Sequence, residues 1–236
     1  MNKDFLKKTV IFRGMNDDEL NAALSALSSS EKKYTKDEVI LHAGSITNMM
    51  GLVLEGTVRI ESNDMWGNRT ILSHVGEGQV FAETYAMAKD EPMLVDAVAN
   101  EKCKILMLRI GYPGSCSQDP SPWRLKLTTN ILDVFMRKNL MLAGRSFHTS
   151  PKSIRGRVMA YLNSVSLQNG SDEFDIPFDR QQLADYLNVE RTALSKELGK
   201  MQKDGLITAK KKHFILLPHF SMPNYASQYK EKSNTI

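Results

Sequence analysis

Residues 179–201, "DRQQLADYLNVERTALSKELGKM", constrain the fold more than any other stretch of the chain. Asp179 is followed three residues later by Gln182, an Asp variant of the capping box that starts a helix. That helix, "RQQLADYL", buries Leu183, Ala184 and Leu187. Asn188 then stands where a tight turn needs a left-handed residue, which Asn tolerates better than most. Beyond the turn, Leu194, Leu198 and Met201 recur at spacings of four and three and form the core side of a second helix. Thr192, Lys196 and Lys203 fall on the opposite side, with Ser195 at the flank. Residues 204–218, "DGLITAKKKHFILLP", read as a turn, a strand, a basic tip Lys210-Lys211-Lys212-His213 and a second strand. Two helices at a sharp turn followed by a basic β-hairpin make a winged helix-turn-helix. The second helix of such a unit fits the major groove of DNA, its first turn aimed at base edges.

Charge placement agrees. The chain of 236 residues carries a net +4; residues 1–150 hold 18 Lys+Arg and 18 Asp+Glu, whereas residues 151–236 hold 13 and 9, and so carry the whole excess. An uneven basic balance of this kind suits a polyanion partner. With 42% hydrophobic and 25% charged residues the profile is that of a soluble globular chain. No apolar run approaches bilayer length, and "MNKDFLKKTV" has no hydrophobic stretch of signal-peptide length, so a cytoplasmic location without membrane contact is expected. Two cysteines, Cys103 and Cys116, fit a reducing compartment and exclude a disulfide framework.

The N-terminal half has a different texture. "MNDDELNAALSALSS" is a short amphipathic helix with acids in its first turn, where the helix dipole favours them. From Tyr34 to Ile110 short apolar or alternating runs, "EVILHAG", "GLVLEGTVRIES", "RTILSHVG", "VDAVAN" and "CKILMLRI", are punctuated by Gly44, Gly56, Gly67, Gly76 and Gly78. Short strands at this spacing predict a small antiparallel barrel or roll. A long helix follows, since no Pro or Gly occurs between Pro122 and Gly144. Thr128, Leu132, Phe135, Asn139 and Leu142 are spaced four and three apart along it, a heptad seam with polar positions that suits a dimer contact between two copies; the same stripe also suits packing on the chain's own roll. "SFHTSP" marks a hinge, because Pro151 restricts its predecessor. The expected organisation is α+β: a β-roll sensor over 1–117, a dimerisation helix over 118–147, and the winged helix-turn-helix over 148–236.

The whole chain resembles the Crp/Fnr transcription regulators. The resemblance is carried by "FDRQQLADYLNVERTALSKELGKMQKDGLI", with "VLEGTVRI" and "GEGQVFAE" matching the glycine turns of that family's cyclic-nucleotide-binding-like roll. It implies a homodimer on a palindromic double-stranded DNA site, with Arg180 and Gln181 at phosphates and Arg191, Thr192, Ser195 and Lys196 reading bases. Lys211 and Lys212 of the basic tip join the DNA-binding set. An activator of this kind also meets RNA polymerase. Several positions depart from the family pattern: Asn188 stands for Gly, Glu190 for the Ser/Thr cap, Ala193 for Thr and Lys196 for Arg.

Cyclic-AMP-binding members carry a Gly-Glu start and an Arg-Ser pair. Here Ala82-Glu83 keeps the Glu, but the Arg-Ser positions fall on Met93-Leu94, and the Thr-Ser pair on the long helix becomes Leu142-Ala143. Without Arg there is no bidentate phosphate partner. Glu83, Tyr85, Met87, Met93, Leu94, Leu142 and Ala143 therefore either line a pocket for a small apolar or aromatic effector other than cyclic AMP, or simply fill the roll of a ligand-independent regulator. No cofactor is expected. The iron–sulfur members use four cysteines, three near the N-terminus. The five histidines, at 42, 74, 148, 213 and 219, lack metal-ligand spacing, and a haem on a lone histidine is not expected. A cupin-like metalloenzyme would need a clustered His-x-His and Glu, whereas His42 and His74 lie far apart; an enzyme is not expected.

Overall fold

The computed structural model describes residues 2–63, 66, 69–110 and 121–217. Cys116 and His219 lie outside the described residues. The chain divides into two compact units between Met136 and Arg137.

The first unit begins with helices α1 (Lys3–Lys8) and α2 (Asp17–Ala26). A capping box closes the start of α2: the Asn16 side chain accepts from the Glu19 N–H, and Glu19 returns the bond to the Asn16 N–H. Eight strands follow, β1 (Ser30–Tyr34), β2 (Val39–Leu41), β3 (Met49–Glu55), β4 (Val58–Asn63), β5 (Arg69–Val75), β6 (Val80–Phe81), β7 (Asp96–Ala99) and β8 (Cys103–Arg109), with a short helix α3 (Glu83–Met87) after β6. They form two antiparallel sheets, ordered β1-β8-β3-β6 and β2-β7-β4-β5. This is the expected roll.

Within β8 the run "ILML", residues 105–108, is apolar without alternation because both faces of the strand are covered there. Ile105 and Met107 join Val53, Val58, Phe81, Ala97 and Ala99 in one cluster, while Leu106 and Leu108 join Leu6, Ile11, Phe12, Leu20, Met50 and Leu52 in another. A strand buried on both faces loses its polar alternation. Gly51 is required where it stands: a Cβ there would come within 2.2 Å of the Phe81 ring on the paired strand.

Helix α4 (Pro122–Thr149) contains the division between the units. In the first unit Trp123, Leu127, Ile131 and Val134 pack into the helix-side cluster. Asn130 is buried among them and donates to the carbonyls of Ile11 and Arg13 at 3.1 and 2.9 Å. Ser146–Thr149, where a hinge was expected, is still helical, and the break comes at Ser150. The extra turn holds because His148 is buried rather than solvated.

In the second unit come α5 (Ile154–Asn169), β9 (Glu173–Asp175), α6 (Arg180–Leu187), α7 (Arg191–Lys203), β10 (Ile207–Lys210) and β11 (His213–Leu216). The hairpin expected from "ITAKKKHFIL" forms, and β9 adds a third strand to give the order β10-β11-β9. Val158, Leu162, Phe174, Leu183, Leu187, Leu194, Leu198, Met201, Ile207 and Phe214 share one core.

Candidate nucleic-acid interface

Helix α6 starts at the predicted cap. The Asp179 carboxylate accepts from the Gln182 N–H at 2.8 Å, and the Gln182 side chain accepts from the Asp179 N–H at 2.9 Å. The helix ends at Asn188, which adopts φ 52° and ψ 56°, the left-handed conformation that reverses the chain. Two arginines distant in sequence hold the carbonyls at this end. Arg145 donates from Nε to the Tyr186 carbonyl at 3.1 Å and from Nη2 to that of Asp185 at 3.0 Å. Arg157 donates from Nη1 to the carbonyls of Leu187 and Asn188 at 3.0 and 2.8 Å, and from Nε to that of Pro151 at 2.9 Å. The last carbonyls of a helix have no intrahelical partner and carry negative partial charge, so a guanidinium suits them. Sequence reasoning missed both arginines, because no local pattern marks a donor to a remote helix end.

Helix α7 begins at Glu190. Its carboxylate accepts from the N–H groups of Thr192 and Ala193 at 2.8 and 2.7 Å, and from the Thr192 hydroxyl. These bonds, the hydroxyl's foremost, hold the carboxyl below the usual range. Leu194, Leu198 and Met201 are buried, whereas Arg191, Thr192, Ser195 and Lys196 are exposed in the first two turns. The helix is anchored at the other side by Arg155, which donates to Glu197 and pairs with Asp204, both at 2.7 Å.

Of the residues expected at phosphates, Gln181 is exposed and its amide donates to the Asp185 carboxylate at 2.8 Å. The Arg180 guanidinium lies over the Phe214 ring, 5.1 Å from its centre, and burial lowers its pKa. At the hairpin tip Lys210, Lys211 and Lys212 are exposed. Lys211 takes the left-handed conformation at φ 55°, and the Lys212 ammonium donates to the Pro177 carbonyl at 2.8 Å. His213 stands between Asp175 and Glu173, each ring nitrogen 3.1 Å from a carboxylate oxygen.

The residues expected to line an effector pocket in the roll are less uniform. Glu83 is buried at the first position of α3, behind Ala82 at φ 59°. Met93 is buried and its backbone bonds to Gly44 and Ser45, while its neighbour Leu94 is 73% exposed. Tyr85 is half-buried and its hydroxyl accepts from the Leu94 N–H at 3.3 Å; Met87 packs toward the helix-side cluster. Leu142 and Ala143 are exposed on α4. One arginine escaped the motif comparison: Arg59 on β4 is 5% exposed, donates to Glu61 at 2.5 Å, pairs with Asp37 at 2.7 Å and reaches the Ala99 carbonyl at 3.3 Å. Its neighbours Val58 and Ile60 pack into the cluster between the sheets, so Arg59 belongs to the alternate face and its charge is already matched.

Among the seam residues on α4, Thr128, Leu132, Asn139 and Leu142 are exposed. Phe135 differs: it is half-buried and packs against the core of its own unit. The exposed apolar stripe continues instead through Leu125, Met136 and Leu140. Among the described residues no helix is long and apolar enough to cross a membrane.

Residues 31–111 match the family model of the cyclic nucleotide-binding domain, and residues 156–220 match that of the Crp-like helix-turn-helix domain. The chain is 24% identical over 195 residues to the cAMP-activated global transcriptional regulator CRP of Haemophilus influenzae, covering 78% of this chain and 82% of that protein. It is 22% identical over 214 residues to Electron transport regulator A of Shewanella oneidensis, covering 88% and 82%. The solved structure of OCPA complexed CprK shares the fold, with a TM-score of 0.59 at 13% identity over 82% of this chain and 90% of that one. The Haemophilus influenzae and Shewanella oneidensis proteins are regulators. A nucleotide-binding-type roll, a long helix and a Crp-like helix-turn-helix in that order, in a chain aligned over most of its length with such regulators, make this protein a member of the Crp/Fnr family of transcription regulators.

Proposed function

We propose that this regulator binds a two-fold symmetric duplex DNA site as a homodimer, with α7 in the major groove of each half-site. The observation that carries the reading is the division of α7 into a buried side, Leu194, Leu198 and Met201, and an exposed set in its first two turns, Arg191, Thr192, Ser195 and Lys196. Donors placed at the start of a helix that is held from behind fit base edges. Lys211 and Lys212 at the hairpin tip supply sequence-independent attraction to phosphates. Gln181 and Arg180 at the start of α6 belong to the same backbone-contacting set. The exposed stripe through Leu125, Thr128, Leu132, Met136 and Asn139 supports pairing of α4 with its counterpart in a second copy. Where the regulator activates, RNA polymerase is a further partner.

The effector is a small molecule other than cyclic AMP. A cyclic phosphodiester needs a charged fork, and Met93 and Leu94 offer no side-chain donor. Arg59 is committed to Glu61 and Asp37. An anion brought there loses water hydrogen bonds and regains few.

Selection from a randomised duplex library tests the DNA reading. Arg191→Ala is expected to lose on the order of 1–3 kcal/mol at one position per half-site. Lys211→Ala is expected to weaken all sequences alike and to lower the salt slope by about one. An unchanged motif and affinity for Arg191→Ala would remove α7 as the reader. Titration with cyclic AMP is expected to change neither melting temperature nor DNA affinity; micromolar binding overturns the effector reading.

A further inference from the structure

We propose that Glu190 fixes the hydrogen-bonding polarity of Thr192, so that Thr192 reads only bases carrying an amino group in the major groove, adenine or cytosine. The proposal rests on α7 being the reading helix.

A threonine hydroxyl is ordinarily ambiguous. It has one rotatable proton and two lone pairs, and so pairs with a base donor or a base acceptor alike. Thr192 has lost that freedom, because its hydroxyl donates to the Glu190 carboxylate. The carboxylate has no proton to give in return: it is held ionised by that hydroxyl and by the N–H groups of Thr192 and Ala193. With the proton pinned behind it, the Thr192 oxygen presents only lone pairs to the groove. The amino groups at adenine N6 and cytosine N4 donate to such an oxygen, while guanine O6 and thymine O4 bring a second acceptor against it. Facing acceptors leave both groups without a partner after water is expelled.

The arrangement depends on Glu190 being a carboxylate. A serine or threonine at the same position would accept from one or two N–H groups and cap the helix. Either also carries a proton of its own, and would not hold the Thr192 hydroxyl in one sense. The residue that distinguishes bases is therefore joined to one that need not touch DNA, and Glu190 acts as a positioning residue through Thr192.

The test compares selected motifs of the wild type, Glu190→Ser and Thr192→Val in a randomised duplex library, with thermal melting to show that each chain folds. The wild type is expected to select adenine or cytosine over guanine and thymine at one position of each half-site, by roughly five- to tenfold for one such bond. Thr192→Val, which keeps the shape and removes the oxygen, is expected to abolish that preference there and nowhere else. Glu190→Ser keeps the cap and frees the hydroxyl proton; that position is expected to become tolerant of all four bases while the rest of the motif persists. The proposal is overturned if the position lost in Thr192→Val is a guanine or thymine in the wild type, or if Glu190→Ser retains the wild-type preference. A wild type that selects no motif at all overturns the DNA-reading function itself, and this proposal with it.

Discussion

His148 Nδ1 lies 2.8 Å from the hydroxyl of Tyr186, joining the last turn of α4 to the first helix of the helix-turn-helix. Around the pair, Phe178 stacks on Tyr186 with ring centres 4.9 Å apart, Tyr161 packs against it at a tilt of 58° with centres 5.3 Å apart, and Arg145 lies over its ring. The end of α4 is thus fixed to α6 by an aromatic cluster and by the Arg145 fork. Any effector that moves the end of α4 acts on α6 through these contacts, provided it binds one arrangement better than another.

The cluster sets a pH dependence. His148 is 6% exposed, and burial lowers its pKa below the ordinary 6.5. The unfolded chain therefore takes up a proton at higher pH than the folded one. Stability from the neutral imidazole is complete above about pH 6.5 and is lost as the pH falls from there toward the lower folded value. Denaturant midpoints are expected to drop between pH 7 and pH 5 in the wild type, and to drop less in His148→Gln.

The Arg157 fork is expected to matter more than an exposed ion pair. Arg157→Ala leaves the carbonyls of Pro151, Leu187 and Asn188 without this donor. Loss of about 1.5–3 kcal/mol is expected in chemical denaturation. Arg157→Lys is expected to recover only part, since an ammonium cannot reproduce a planar fork.

Leu132 and Phe135 separate assembly from folding. Leu132 is 56% exposed, so Leu132→Lys is expected to shift sedimentation from dimer to monomer with the melting temperature of the monomer preserved. Phe135 is half-buried against its own core, so Phe135→Lys is expected to cost about 1–3 kcal/mol in stability as well. A wild type that sediments as a monomer at micromolar concentration, with and without DNA, removes the dimer.

Ala82 sits at φ 59° before α3, where an L-residue with a Cβ is strained. Ala82→Gly is expected to raise stability by up to about 1 kcal/mol, the relief exceeding the added freedom of the unfolded chain, and Ala82→Val to lower it by more than that.

Much of this protein was written locally. The capping box at Asp179 and Gln182, the left-handed Asn188, the buried spacing of Leu194, Leu198 and Met201 and the basic hairpin tip each depend on neighbours within four residues or on one strand turn, and each is found as expected. The glycine-punctuated runs likewise yielded a roll, because alternation and turn residues are properties of short segments. Tertiary structure alone decided the remainder. Nothing near Arg145 or Arg157 in sequence announces that their forks close α6, and although Glu61 lies two positions along the strand from Arg59, nothing local announces that Asp37 joins it. The helical reach of Ser146–Thr149 depends on His148 finding Tyr186 thirty-eight positions away. The seam on α4 shows the same limit: its spacing identified an apolar stripe, but only the roll core, by taking Phe135 and leaving Leu132 exposed, divided that stripe into an inward and an outward part. Periodicity records which residues shun water, whereas the partner that shields them is set by chain segments brought together only on folding.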